Sequence, residues 1–534
     1  MTAEIHATTA PVRASVTPWW AALWVLVGAL ALLLLARPAP AWDAAEVDGL
    51  AGGAQLADAL TTGAGGLKER VLRGFAGVPG HPLCATAPER LMCREAATDS
   101  PLVRWVVAGA ALTMPGADDA ASASLGAALV LALAALVTGL VLARQVGRGG
   151  AALVLAVALL LALPGAMASA SGAGVAALGA LVSALVIAAM ERVRRGGGGL
   201  VAGGAVGLAL ALHPAGVALV VPLFVVAAIG ARPRDRGPAD RGLVPLPPVA
   251  PSLFLAPAVA LVVFAALWPA AWHGTTLHLG AWLEGGMASP APPQLIAGAA
   301  FDQARGRAPT ALVGLLQWVA WTPLPLLVLW LVGVAATARA GRAGMWSPLA
   351  VLATLLLVAG LDGGLFGARR NLLAWLWVPT ALTASIGAVA LGDWLARHRP
   401  RLSAGRALAV VTGLALVTPV ASLVLGVEPS GAAHFGAQTR APLPIALLGP
   451  APEGGGATSV FVPDDSGAYA YAARVLSDRG PRALRWESAP EAADWLLVVQ
   501  PGAEAAAPEG VLAERELWAT GFAAGLRVDA YRRP

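Results

Sequence analysis

The sequence predicts an all-α polytopic membrane protein with a small α/β domain from residue 428. Three observations predict it. The 534 residues are 57% hydrophobic and only 13% charged, about half the charged fraction of an ordinary soluble domain. Mean hydropathy is +0.71. Apolar runs that approach the roughly 20 residues a bilayer core requires recur up to residue 427, after which the composition turns soluble.

Eleven such runs lie near 18–36, 120–143, 151–168, 172–190, 200–212, 215–230, 251–269, 318–338, 347–362, 372–392 and 407–427. His213-Pro214 interrupts the 200–230 stretch. Proline disfavours a continuous helix through that point, so the stretch reads as two helices joined by a tight turn.

Arginine placement sets the orientation, because cytoplasmic loops carry the excess of Lys and Arg. Alternate loops hold Arg144 and Arg148; Arg192, Arg194 and Arg195; Arg232, Arg234, Arg236 and Arg241; Arg339 and Arg342; and Arg397, Arg399, Arg401 and Arg406. The opposite short loops are nearly free of arginine apart from Arg369 and Arg370. The N-terminus is therefore expected in the cytoplasm of a plasma (inner) membrane protein, with segment 37–119 and the tail outside. An uncleaved first helix is expected over 18–36. The rival is a cleaved signal peptide ending near "RPAPAW".

Segment 37–119 carries weak amphipathic helical patterns around 47–61 and 101–114. The second outer segment, 270–317, starts at "LWPAAWHGTTLHLGAWL", whose tryptophans and histidines suit a membrane interface. In the tail, "TSVFVP", "RALRWES" and "ADWLLVV" read as strands and "DSGAYAYAARVLSDRG" as a helix. Cys84 and Cys93 are the two cysteines. In an oxidising compartment a disulfide between them is the expectation; a zinc site beside His81 is the rival and lacks a visible fourth ligand.

Composition also excludes classes. The sequence pI near 10.0 comes from arginines at helix ends, and no interleaved basic and aromatic face points to nucleic acid. The chain has no GxxxxGK[ST] loop and no HExxH. No pattern of mid-span charges suggests an ion path, although the break at His213-Pro214 keeps a transporter as a distant alternative.

One short stretch raises a question of its own. "PAWDAAEVDGL" gathers Asp43, Glu46 and Asp48 at the outer end of the first span. With "SPLVRW", "HPAGVALVVPLFVV", "LWPAAW", "WTPLPLLVLWLVG", "LDGGLFGARRNLLAWLWVPTALTASIGAVAL" and the terminal "LRVDAYRRP", in that order and spacing, the chain resembles the GT-C superfamily of integral-membrane glycosyltransferases. The similar branch contains the protein O-mannosyltransferases and the aminoarabinose transferase of lipid A.

That resemblance implies transfer of a sugar from a polyprenyl-phosphate carrier lipid to an extracytoplasmic acceptor, whether lipid, glycan or protein. An acceptor hydroxyl needs a base as it attacks, and a positioned carboxylate serves. The leaving phosphate needs cationic or backbone donors. In the family the first outer loop carries an adjacent Asp-Glu pair; here Asp43 matches the Asp and Ala44 stands in the Glu position. Glu46, one helical turn on, and Asp48 are the alternatives for that role. Arg369, Arg370 and His273 are the candidates to hold the donor phosphate, with His278, Lys68 and Arg104 as weaker ones. No cofactor is required by these residues; a divalent metal is compatible with them. Three further departures are Asp118 and Asp119 where relatives carry Arg, "ASASGAGV" where relatives carry an acid, and the Asp99–Ser100 region where relatives carry a lysine near the proline motif of the first loop.

The bland alternatives stay open at this point: a solvated carboxylate rim, arginines anchored on lipid headgroups, and histidines packed at the interface. A non-catalytic GT-C-like protein that binds a lipid-linked glycan or a partner competes with the transferase.

Overall fold

A computed structural model of the chain describes residues 19–36, 44–75, 100–114, 117, 119–147, 149–170, 172–194, 197–230, 251–272, 294–296, 299–301, 315, 318–319, 322–340, 346–361, 374–399, 401–424, 458–461, 484–487, 490–500, 514–523 and 526–534. In chain order the helices are α1 (Trp19–Ala36), α2 (Ala44–Thr62), α3 (Leu67–Gly74), α4 (Pro101–Thr113), α5 (Asp119–Val146), α6 (Gly149–Leu161), α7 (Pro164–Ser169), α8 (Val175–Arg194), α9 (Gly199–Leu212), α10 (Val220–Gly230), α11 (Ala256–Leu267), α12 (Leu324–Ala340), α13 (Ser347–Leu361), α14 (Trp377–His398) and α15 (Ala404–Val424). A short antiparallel pair, β1 (Gln294–Ile296) with β2 (Ala299–Phe301), precedes α12.

Each apolar run read from the sequence contains a helix among the described residues. Among the described residues, three helices are long and apolar enough to cross a membrane: Ala121–Val146, Val175–Arg194 and Ala374–His398. Several of the other apolar helices are shorter; α6 has 13 residues and is about 20 Å long, against a hydrocarbon layer of roughly 30 Å. Both amphipathic patterns of segment 37–119 are also helices, α2 and α4.

Alanine-rich faces let these helices pack closely, as small residues do between helices in a membrane. α5 packs on α6 and α8, α9 on α8 and α11, and α12 on α14. At the centre lies α14, buried from Trp377 to Val389. Its polar side chains stay satisfied there. Thr380, Thr383 and Ser385 donate to the carbonyls of Leu376, Pro379 and Ala381 at 2.6, 2.8 and 2.7 Å, so none of these three hydroxyls is left unpaired in the apolar interior. Arg144, Arg192, Arg194, Arg339 and Arg397 sit in the last turns of α5, α8, α12 and α14, where the helix dipole favours a cation.

The tail forms a five-stranded sheet of β3 (Thr458–Phe461), β4 (Leu484–Trp486), β5 (Trp495–Gln500), β6 (Glu516–Ala523) and β7 (Leu526–Arg532), ordered β4-β3-β5-β7-β6. The three strands anticipated in the tail are β3, β4 and β5. They are mutually parallel, which requires crossover connections. The stretch expected to be a helix, 465–480, lies outside the described residues. The β6–β7 hairpin is an addition to the sequence reading.

Candidate functional site

Helix α2 opens at Ala44, directly after the acidic stretch begins. Asp43 lies outside the described residues, while Glu46 and Asp48 occupy the first turns of α2. By helical periodicity, positions 46 and 48 are about 200° apart, so α2 does not put both on one face. Position 46 continues the stripe of Gly49 and Gly53. That stripe packs hard on α4: a Cβ at Gly49 would meet Val103 Cγ1 at 2.5 Å, and one at Gly53 would meet Val107 Cβ at 2.3 Å. A Cβ at Gly49 would also lie 3.7 Å from Ala173, in the "ASASGAGV" turn before α8. The glycines in "DGLAGG" are what let the acidic helix approach so closely.

The motif "SPLVRW" begins α4 and ties this corner together. Ser100 caps the helix by accepting the Val103 N–H, with Pro101 at the first helical position. Its hydroxyl donates to Ala211 O at 3.1 Å, two residues before His213. There the His213 ring takes the Ala215 N–H on Nδ1 at 3.1 Å, closing the tight turn expected at His213-Pro214. Trp105 Nε1 donates to Leu267 O at 2.9 Å, at the start of "LWPAAW".

Arg104 is only 3% exposed. It donates to Gly74 O at 2.8 Å and stands 5.5 Å over the Phe75 ring, which meets Trp105 at 5.7 Å. Arg104 therefore clasps the end of α3 against α4. Gln55 Nε2 to Arg73 O (3.2 Å) and Arg70 NH1 to Leu60 O (3.0 Å) close the α2–α3 hairpin itself. Lys68 is exposed near the hairpin tip, away from this corner.

Two further motifs are anchored on α8 and α14. Ser183 donates to Trp375 O at 2.8 Å. Trp318 Nε1 donates to Thr380 Oγ1 at 2.8 Å and stacks edge-on against Trp330, with centroids 4.9 Å apart. These contacts fix the chain just after segment 362–373. Arg369 and Arg370 lie in that segment, outside the described residues, as do His273, His278, His81, Cys84 and Cys93. Among the described residues, no three His, Cys, Asp or Glu side chains stand close enough to hold a metal ion.

Ser100, Trp105, Ser183 and Thr380 were missed as site-building residues in the sequence. For Ser100 a signal existed: Ser-Pro ahead of an apolar run is a helix-start signature. The others act through long-range bonds that local pattern does not encode.

The first acidic helix, the "SPLVRW" start, the "HPAG" turn and the "LWPAAW" start thus meet at one corner of a helical bundle that carries a terminal sheet. Solved structures share this fold. The chain is similar to ArnT from Cupriavidus metallidurans in the apo state, with TM-score 0.52 and 13% identity over 95% of this chain and 97% of that one. It is similar also to the same protein bound to undecaprenyl phosphate, with TM-score 0.50 and 14% identity over 97% and 98%. A fainter likeness, TM-score 0.46 and 13% identity over 90% and 69%, is to the archaeal oligosaccharyltransferase AglB from Archaeoglobus fulgidus. No family model and no curated protein matches the sequence.

Proposed function

We propose that the chain is a membrane glycosyltransferase that moves a sugar from a polyprenyl-phosphate donor to an extracytoplasmic acceptor. The observation that carries this reading is the corner where the acidic start of α2 meets α4 and the turn at Ala173, within a GT-C fold that extends over nearly the whole chain. ArnT, the protein it resembles in fold, is one that has been captured with undecaprenyl phosphate.

In this reading Asp43 takes the proton of the acceptor hydroxyl as that oxygen attacks the anomeric carbon, with Glu46 and Asp48 as the other carboxylates of the cluster. The bond from the anomeric carbon to the phosphate oxygen breaks, and the charge left on the carrier phosphate falls to Arg369 and Arg370, with His273 beside them. Eleven spans, a cytoplasmic N-terminus, a membrane domain of 1–427 with outer loops 37–119 and 270–317, an extracytoplasmic domain of 428–534 and a Cys84–Cys93 disulfide complete the topology. A plasma (inner) membrane location follows from the carrier lipid.

Ala44 favours the second reading, a non-catalytic GT-C-like protein that binds lipid-linked glycan, because it stands where the resembled family carries the second acid. The two separate in one experiment. Membranes containing the chain should pass radiolabelled sugar from a polyprenyl-phosphate-linked donor to endogenous acceptor, and Asp43→Asn should abolish the transfer. Donor binding without any transfer by the wild type would sink the enzymatic reading.

A further inference from the structure

The terminal sheet holds an aromatic and cationic corner that the transfer chemistry leaves unused. Trp495 on β5 is 5% exposed, and the Trp518 ring of β6 meets it edge-on, with centroids 5.9 Å apart and an interplanar angle of 87°. Arg532 of β7 pairs with Trp495 in the ladder. Its guanidinium carbon lies 5.8 Å from the Trp495 centroid and 5.6 Å from that of Trp518. Glu516 pairs with Arg532 from the other side and is exposed. One cross-strand row therefore holds an indole, a guanidinium and a carboxylate, with a second indole beside it.

Register explains how Trp518 reaches this row. Leu517 pairs with Tyr531 and Ala519 with Ala530, so Trp518 is the extra residue of a bulge. Bulges re-aim side chains. Here the result is an indole that is braced by Trp495 and Arg532 yet remains 49% exposed. The face concerned is the one that joins the helices: Val460, Trp495, Leu497 and Ala530 belong to the same apolar cluster as the bundle, whereas Leu496 and Val498 cluster apart with Phe461 and Tyr531.

We propose that the Trp495–Trp518–Arg532 corner binds a hexose unit of a glycan. A pyranose ring presents a C–H face and a rim of hydroxyls. It calls for a rigid apolar plate with a few fixed donors and acceptors around it. Trp518 supplies the plate, Arg532 the donors and Glu516 the acceptor. A phosphate would meet an opposing carboxylate in Glu516. A bilayer surface would want apolar neighbours on the same face, but Leu517, the next exposed apolar residue, pairs with Tyr531 of the opposite face. The biological sense of a sugar site here rests on the glycosyltransferase reading, while its test does not.

The test uses the full chain in nanodiscs, titrated with fluorescein-tagged tetrasaccharides of mannose, glucose and galactose and read by fluorescence polarisation. At least one should bind. Trp518→Ala and Arg532→Gln should each weaken binding about tenfold, the equivalent of about 1.4 kcal/mol, and Trp518→Phe should keep most of it. Leu517→Ala should bind as the wild type does. Failure of all three sugars to bind, or binding that Trp518→Ala leaves intact, overturns the proposal. Binding by a chain that transfers no sugar would sink only the enzymatic reading; transfer without this binding would sink only the corner.

Discussion

Ser183 of α8 donates its hydroxyl to the carbonyl of Trp375, 192 residues later in the chain, at 2.8 Å. The Trp375 side chain is 1% exposed, and a Cβ at Gly179 would lie 2.4 Å from its ring. The chain that emerges from segment 362–373 is thus nailed to α8 before α14 begins. Trp318 and Thr380 add a second tie one turn further on.

These ties should be measurable. Ser183→Ala removes the donor from a buried carbonyl, and Thr380→Val removes the acceptor of a buried indole N–H. Each should cost about 1–3 kcal/mol, the desolvation penalty of an orphaned buried group. Thermal unfolding in detergent should show a lower midpoint for each variant. Because the sites use different partners, their effects should nearly add; melting curves identical to wild type would show that the bonds contribute nothing.

Arg104 offers a sharper contrast. Its guanidinium satisfies Gly74 O and covers Phe75, so Arg104→Ala strands a buried carbonyl and opens space beside the ring. Arg104→Lys keeps charge but not the planar fork. Both should loosen the α2–α3 hairpin from α4, with the alanine variant the worse. Limited proteolysis between residues 62 and 75 should accelerate in the order wild type, Lys, Ala. Equal cleavage of all three would remove Arg104 from the clasp.

The α12–α14 crossing should tolerate no side chain at its centre. A Cβ at Gly333 would lie 1.9 Å from Thr383 O, and one at Gly387 would lie 1.9 Å from Leu329 O, both backbone atoms that cannot step aside. Gly387→Ala should therefore force the helices apart and reduce the yield of monodisperse protein several-fold. Gly413→Ala, where nothing lies within 4 Å, should gain slightly from the better helix propensity of alanine, by about 1 kcal/mol at most. Size-exclusion profiles of the two variants, side by side, decide it.

Helices were legible wherever an apolar run or a break was local: the apolar runs and the His213-Pro214 turn needed only neighbouring residues, whereas the Ser100-Pro101 start, equally local, was passed over. The corner itself was legible only as a set of motifs. Nothing near Trp105 announces that its N–H belongs to Leu267, because the bond spans 162 residues. The β6–β7 hairpin escaped for a different reason. A bulge at Trp518 breaks the period of two on which strand reading depends. The carboxylates divide as well: proximity in sequence suggested one cluster, but helical rotation separates positions 46 and 48.

That separation shapes the functional prediction. If the acceptor-activating base is Asp43, then Asp43→Asn should leave expression and donor binding intact while lowering turnover about 100-fold or more, the scale of general-base catalysis. Glu46 lies three positions after Asp43 in the sequence, so Glu46→Gln should show a smaller loss, while Asp48→Asn, about 200° from position 46 on α2, should be nearly silent. Replacing Arg369 and Arg370 together by Gln should instead raise the KM for the polyprenyl-phosphate sugar with a milder effect on kcat, because it removes charge-assisted contacts to phosphate. Steady-state transfer assays with each variant in nanodiscs separate a rate lesion from an affinity lesion. A wild-type rate for Asp43→Asn with a deep loss in Glu46→Gln would move the base one turn along α2. Full activity in the triple carboxylate variant would leave the cluster as a solvated rim.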